Sequence, residues 1–179
     1  RAAEVMNINA QAYQRSCRTR MTMNAVKIFR DKEKFFIPFS FDYRGRCYPI
    51  PAFLTPQDTD FGKSLLKFHE QAFMTPESEG WLAFQVATTY GLDKATMQER
   101  QEWVKENISL ITRVATDPIR NLSDWADADE PWTFLAACEE YYSTCIDCSR
   151  HYTNLPVAVD ATCSGLQILA GLARDASTA

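Results

Sequence analysis

Apolar residues recur at three- or four-residue intervals through Tyr13, Cys17, Met21, Ala25, Ile28 and Phe29, which predicts one apolar helix stripe ending near Arg30. Phe35, Ile37, Phe39 and Phe41 then alternate, and Pro38 favours an extended edge conformation. A Pro-rich loop with Pro49, Pro51 and Pro56 leads to a short helix expected over Phe61–Glu70. Thr75, Pro76 and Glu77 form an N-cap, an N1 proline and a first-turn acid, so a helix should run from there to Tyr90 and stop at Gly91. Thr96 and Glu99 form a capping box. The helix they open should carry Trp103, Val104, Ile108, Ile111 and Val114 and end before Pro118. Asp127 to Glu130 is an acidic cluster before Pro131, as suits a helix N-terminus, and the next helix should carry Phe134, Leu135, Cys138, Tyr141, Tyr142 and Cys145.

The last pattern is an alternating run, Leu155, Val157 and Val159, which reads as a half-buried strand. Asp160 is the first charge after it. Thr162, Ser164 and Gly165 suit a tight strand-to-helix turn, and Leu166, Leu169, Ala170 and Ala173 continue at helical spacing. A carboxylate at a strand end suits a hard divalent cation; the same residue also suits the simpler role of helix cap. Two short β-containing segments thus flank a helical block, an α+β arrangement in which helix dominates.

Composition is ordinary for a globular protein: 46% hydrophobic and 23% charged over 179 residues. No apolar run approaches the roughly 20 residues of a membrane span. The net charge of −4 hides an asymmetry: residues 1–46 carry about +6 and residues 47–179 about −10. A basic N-terminal quarter fits either a solvated helix face or a nucleic-acid contact. The chain begins at Arg1 and stops at Ala179 in mid-pattern, so a fragment is expected.

Six cysteines show no secreted framework. Cys145, Cys148 and His151, with Cys138, invite a zinc reading, yet all would fall on one continuous helix pattern, whereas tetrahedral sites draw ligands from two elements. Free thiols buried on a helix face, in a reducing compartment, are the expectation.

Asp42-Tyr43-Arg44-Gly45-Arg46 is the second notable constellation. Two guanidinium groups flank a glycine, so backbone and bidentate donors can approach a phosphate together, with Asp42 holding an arginine in place. An ordinary turn with a local ion pair is the simpler alternative. This pentapeptide, followed by Tyr48-Pro49, resembles the D-x-x-G-R element of the single-subunit, bacteriophage-type RNA polymerases. Asp160-Ala161-Thr162-Cys163-Ser164-Gly165-Leu166-Gln167 resembles their motif A. Between them, Lys63-Ser64-Leu65-Leu66 is similar to the family's K-G/A-L-L segment. Asp129-Glu130-Pro131-Trp132 with Leu135-Ala136 is similar to its helix before motif A, and Arg174-Asp175 to the pair closing the motif A helix. The Asp-Ala-Thr wording is most similar to podovirus enzymes, those of cyanobacterial phages among them.

The resemblance implies a right-hand polymerase fold. Residues 1–32 would be the end of the thumb, 33–70 and 151–179 palm, and 71–150 a helical palm insertion. It implies template-dependent transfer of ribonucleotides to an RNA 3′ end. Asp160 would be one of two catalytic aspartates and a Mg²⁺ ligand beside the Ala161 carbonyl. Arg46, Arg44 and Lys63 would contact nucleic acid or nucleotide, and Arg15, Arg18 and Arg20 would line the thumb face. Asp42, Gly45 and Thr162 would support these groups. Gly165, where related DNA-copying polymerases carry a glutamate, would leave room for the ribose. Double-stranded promoter and template DNA, nascent RNA and ribonucleoside triphosphates would be partners. The complete enzyme would be a monomer in the cytoplasm, that of the infected host if phage.

Ala161 and Thr162 replace the usual Gly-Ser, and Ile168 replaces a histidine. The family's fingers helix and second aspartate do not occur in these 179 residues, so inactivity alone is expected. Two alternatives remain from other classes. One is a nonenzymatic nucleic-acid-binding module using the Arg-rich part. The other is a carboxylate hydrolase pairing Asp160 with Glu139 or Glu140.

Overall fold

The computed structural model describes residues 2–159 and 164–174. Helix α1 spans Ala2–Phe29. A hairpin follows, β1 (Phe39–Phe41) antiparallel to β2 (Cys47–Pro49), with Phe39 opposite Pro49 and Phe41 opposite Cys47. After the short helix α2 (Asp60–Ser64) comes strand β3 (Ala72–Phe73). Five helices form a block: α3 (Pro76–Tyr90), α4 (Met97–Glu106), α5 (Ile108–Thr116), α6 (Leu122–Trp125) and α7 (Pro131–Tyr141). The last runs on into a π turn, Tyr142–Ile146. Strand β4 (Tyr152–Thr153) then pairs antiparallel with β3, Ala72 against Thr153 and Phe73 against Tyr152. That ladder brings together the two ends of residues 74–151. Helix α8 covers Ser164–Ala173.

The core lies in the helical block, where Val86, Ala87, Val104, Ile111, Val114 and Phe134 are fully buried. Helix starts follow local chemistry. Thr75 and Ser78 exchange side-chain and backbone hydrogen bonds at the start of α3, which ends with the Gly91 N–H on the Ala87 carbonyl. Thr96 and Glu99 form the expected capping box of α4. Buried Arg100 closes the α3–α4 connection: its Nε donates to the Leu92 carbonyl and its Nη2 to that of Asp93, while its guanidinium lies over the Phe84 ring.

Several expectations change. The helix opened at Thr96 is two helices, because Asn107 leaves helical geometry (φ −106°, ψ 20°) and its side-chain amide donates to the Trp103 carbonyl. The helix expected over Phe61–Glu70 ends at Ser64. The extended aromatic run forms a ladder only over Phe39–Phe41. Helix α1 ends where expected, but its apolar stripe packs only in part, through half-buried Cys17 and Ala25. Tyr13, Met21 and Ile28 are exposed, and Thr22 is fully buried. Residues 155–159 form no strand and have no ladder partner among the described residues, so the strand expected there is not found. Pro131 does open α7, but Glu130 makes no side-chain cap there. The cap comes from Asp60 of α2, which accepts from the N–H groups of Trp132 (2.8 Å) and Thr133 (3.0 Å).

Candidate nucleotide and nucleic-acid site

The Asp42–Arg46 turn is built on its own carboxylate. Asp42 Oδ1 accepts from the backbone N–H groups of Arg44 (2.8 Å) and Arg46 (2.9 Å), and the Asp42 N–H donates to the Arg46 carbonyl. Gly45 sits at φ +78°, a conformation that disfavours a side chain. The Arg44 guanidinium stays 3.9 Å from Asp42 Oδ2 and rests over the Tyr43 ring. Arg44 and Arg46 are both exposed at the hairpin tip. The sequence pairing of Asp42 with an arginine is therefore mainly a backbone clasp, which leaves the guanidinium groups facing solvent.

Below the hairpin lies a cleft of about 1120 Å³, lined by Phe39, Lys63, Lys67, Gln85, Val157 and Ala158 among others. It joins the base of β1 to the run that leads into Asp160. Arg44 and Arg46 do not line it. Lys63 Nζ donates to Glu130 Oε1 at 2.6 Å, so one of its three N–H donors is engaged and its charge is partly offset. Asp160, Ala161 and Thr162 lie outside the described residues. Gly165, on α8, is exposed, and a Cβ there would meet nothing within 4 Å. Helix α8 ends at Arg174, which takes φ +55°.

Three buried polar residues organise this region: Asp58 and Gln85, which the sequence reading passed over, and Glu140, which it named only as a hydrolase candidate. The Asp58 side chain is fully buried. It accepts from Arg18 Nε (3.1 Å) and Nη2 (2.9 Å), Thr22 Oγ1 (3.3 Å), and the N–H groups of Leu54 (2.8 Å) and Thr59 (2.7 Å). Burial pushes its carboxyl up, but these hydrogen bonds and the Arg18 charge outweigh it and hold the group below the ordinary value. A side chain at Gly62 would collide with that carboxylate. Arg18, expected on the thumb face, is thus an anchor for α1.

Glu140, 1% exposed, accepts from Lys67 Nζ (2.7 Å), Arg150 Nη2 (2.6 Å) and Thr153 Oγ1 (2.8 Å). It ties the segment after α2 and the strand β4 to α7. Burial opposes its ionisation, and the Lys67 and Thr153 hydrogen bonds with the two cations overcome that and lower its pKa. Held by three donors, Glu140 serves as a tie between elements; Glu139 beside it is exposed. Gln85 is 2% exposed, and its Oε1 accepts from the Ala158 N–H at 3.0 Å.

The sequence signal for Gln85 was a polar residue on the Leu82, Val86, Thr89 face of an otherwise apolar helix. For Glu140 it was a carboxylate one turn from Ala137 and Thr144 on a buried face. Asp58 offered only an acidic residue in a Pro-rich loop.

Among the described residues no three His, Cys, Asp or Glu side chains are grouped to hold a metal ion. Burial pushes the Cys138 thiol far up and Cys145 up to about 11, so neither is a thiolate at neutral pH. Cys148 is exposed rather than buried on a helix face. No helix among the described residues is long and apolar enough to cross a membrane.

Comparison with known proteins points to one family. The model of the DNA-dependent RNA polymerase family matches residues 74–179. The mitochondrial DNA-directed RNA polymerase of Neurospora crassa is 32% identical over 173 residues, which cover 96% of this chain and 12% of that protein. The DNA-directed RNA polymerase of Enterobacteria phage T3 is 31% identical over 174 residues, 97% of this chain and 20% of its own length. A probable DNA-directed RNA polymerase of Podospora anserina is 36% identical over 163 residues, 87% of this chain and 17% of that protein. The chain therefore spans between about an eighth and a fifth of these relatives. With its helical block inside the matched region and phage and mitochondrial polymerases matching nearly its full length, this chain belongs to the DNA-dependent RNA polymerase family.

Proposed function

We propose that this chain forms palm and adjoining thumb segments of a DNA-directed RNA polymerase that adds ribonucleotides to the 3′ end of RNA on a DNA template. The observation that carries the reading is the anchored run before Asp160. A buried amide from α3 holds its backbone, and it forms one wall of the cleft that Phe39 and Lys63 also line. A carboxylate that follows such a fixed segment is held more tightly than one on a free loop.

In the proposed reaction the 3′ hydroxyl oxygen of RNA bonds to the α-phosphorus of a ribonucleoside triphosphate. The bond from that phosphorus to the pyrophosphate oxygen breaks, and the hydroxyl proton leaves to solvent. The donors this chain offers, the Asp160 carboxylate and the Ala161 carbonyl, are hard oxygens and fit Mg²⁺. When bound, the metal supplies charge neutralisation at the attacking and leaving oxygens. The chain's own residues do the rest. The clasped Asp42 turn presents Arg44 and Arg46 to phosphates with the backbone already ordered. Open space at Gly165 accommodates a 2′ hydroxyl. Thr162 keeps a hydroxyl beside the metal ligand, and Lys63 can trade Glu130 for a phosphate.

Exchange of this segment for the matching part of the T3 enzyme tests the proposal. Promoter-directed RNA synthesis that depends on Asp160 supports it. A hybrid that binds DNA but shows the same synthesis with Asp160→Asn favours the nonenzymatic binding module.

A further inference from the structure

We propose that Gln85 is a positioning residue for Asp160, holding the backbone of the run that leads to it; this rests on the polymerase reading. Residues 155–159 have no ladder partner among the described residues, so their rotation about the chain axis is not set by a sheet. Upstream, Asn154 exchanges hydrogen bonds with the Phe68 backbone, and the Leu155 N–H reaches Thr153 Oγ1 at 3.3 Å. Nearer the carboxylate, the bond from the Ala158 N–H to Gln85 Oε1 is the one that fixes the backbone, two residues before Asp160.

Leu155 is buried and Val159 is 71% exposed, so the run leaves the core between them. Fixing the peptide between Val157 and Ala158 holds the backbone where it emerges, two residues before Asp160. Gln85 is suited to hold it. It is 2% exposed on a helix packed through Leu82 and Val86, so its rotamer is set by the core rather than by solvent. Its amide also lies in the wall of the cleft, where the helical block meets the segment leading to the metal ligand. Among the described residues no buried side-chain polar atom lacks a partner. Loss of the acceptor at residue 85 releases the Ala158 N–H to solvent, on an exposed residue, and so frees the run.

The test uses the full-length polymerase carrying this segment, with Gln85→Met to remove the acceptor at similar volume and Gln85→Glu to keep an oxygen there in either protonation state. Three readouts are taken: the single-turnover addition rate at saturating nucleotide, the Mg²⁺ concentration for half-maximal rate, and deuterium uptake of the peptide covering residues 155–159. Gln85→Met should lower the rate or raise the Mg²⁺ requirement by about 10- to 100-fold, the range seen for partners that orient metal ligands. It should also speed exchange at Ala158, and Gln85→Glu should restore all three. An unchanged rate and Mg²⁺ midpoint in Gln85→Met, while Asp160→Asn abolishes synthesis, would overturn the inference and leave the polymerase reading intact. Unchanged exchange at Ala158 would overturn it whatever the activity. If Gln85→Met does not fold, Gln85→Glu decides through exchange and Mg²⁺ midpoint, both of which must stay at the wild-type values.

Discussion

Arg18 donates to Asp58 Oδ1 from both Nε and Nη2, at 3.1 and 2.9 Å, and so pins α1 to the loop before α2. The two ends differ in exposure: the Arg18 side chain is 45% exposed and that of Asp58 fully buried. Removal of the arginine strands a buried carboxylate, whereas removal of the carboxylate leaves a guanidinium that water reaches. Arg18→Met should therefore destabilise the fold by about 1.5–3 kcal/mol, as for a hydrogen bond to a charged group. Urea unfolding measures it.

The same pair gives a pH dependence. The Asp58 carboxyl lies below its ordinary value of 3.8 in the folded chain. A depressed folded pKa contributes stability that is complete above the unfolded value and is lost as pH falls through the folded one. Stability should drop on acidification below about pH 4. Asp58→Asn should flatten that part of the stability profile; an unaltered acid limb would show that Asp58 does not titrate as described.

Glu140 holds Lys67, Arg150 and Thr153 together, and its neutral isostere cannot hold both cations. Because Lys67 and Arg150 are partly exposed and rehydrate when released, Glu140→Gln should cost about 1.5–3 kcal/mol rather than the 3–5 of a fully buried pair. Thermal unfolding of the variant checks it, and a loss below 0.5 kcal/mol, the scale of an ordinary surface substitution, would mean the triad is solvated.

At the hairpin, Arg46→Ala should weaken binding to an RNA–DNA scaffold uniformly across sequences and reduce the salt slope by about 1. Gly45→Ala should cost about 1–2 kcal/mol through its positive φ, although nothing crowds the site. Gly165→Ala should leave folding intact, because a Cβ there enters open space. Gly165→Glu should lower ribonucleotide incorporation relative to deoxyribonucleotide.

Local chemistry made the helix ends legible from sequence. Thr75 with Pro76, Gly91, the Thr96 and Glu99 box, and Pro131 each act within a turn of where they stand. What the sequence hid depends on distance along the chain. Asp60 caps α7 from more than seventy residues away, and Asp58 receives Arg18 from forty. Apolar spacing also misled on α1, where a polar face of Arg18 and Thr22 packs because a buried carboxylate awaits it. The landmarks of the candidate site were readable as motifs. Their support was not: Gln85 lies in no motif, and although Glu130 and Lys63 each stand in one, nothing in the sequence pairs them across sixty-seven residues.

We propose that Asp160 carries nucleotidyl transfer. The most direct measurement is single-turnover nucleotide addition by full-length polymerase with Asp160→Asn, on a preassembled RNA–DNA scaffold whose affinity is measured alongside. The account predicts a rate loss greater than about a hundredfold, beyond what loss of an orienting partner causes, with scaffold affinity nearly unchanged. Addition at the wild-type rate by the Asp160→Asn enzyme would contradict it.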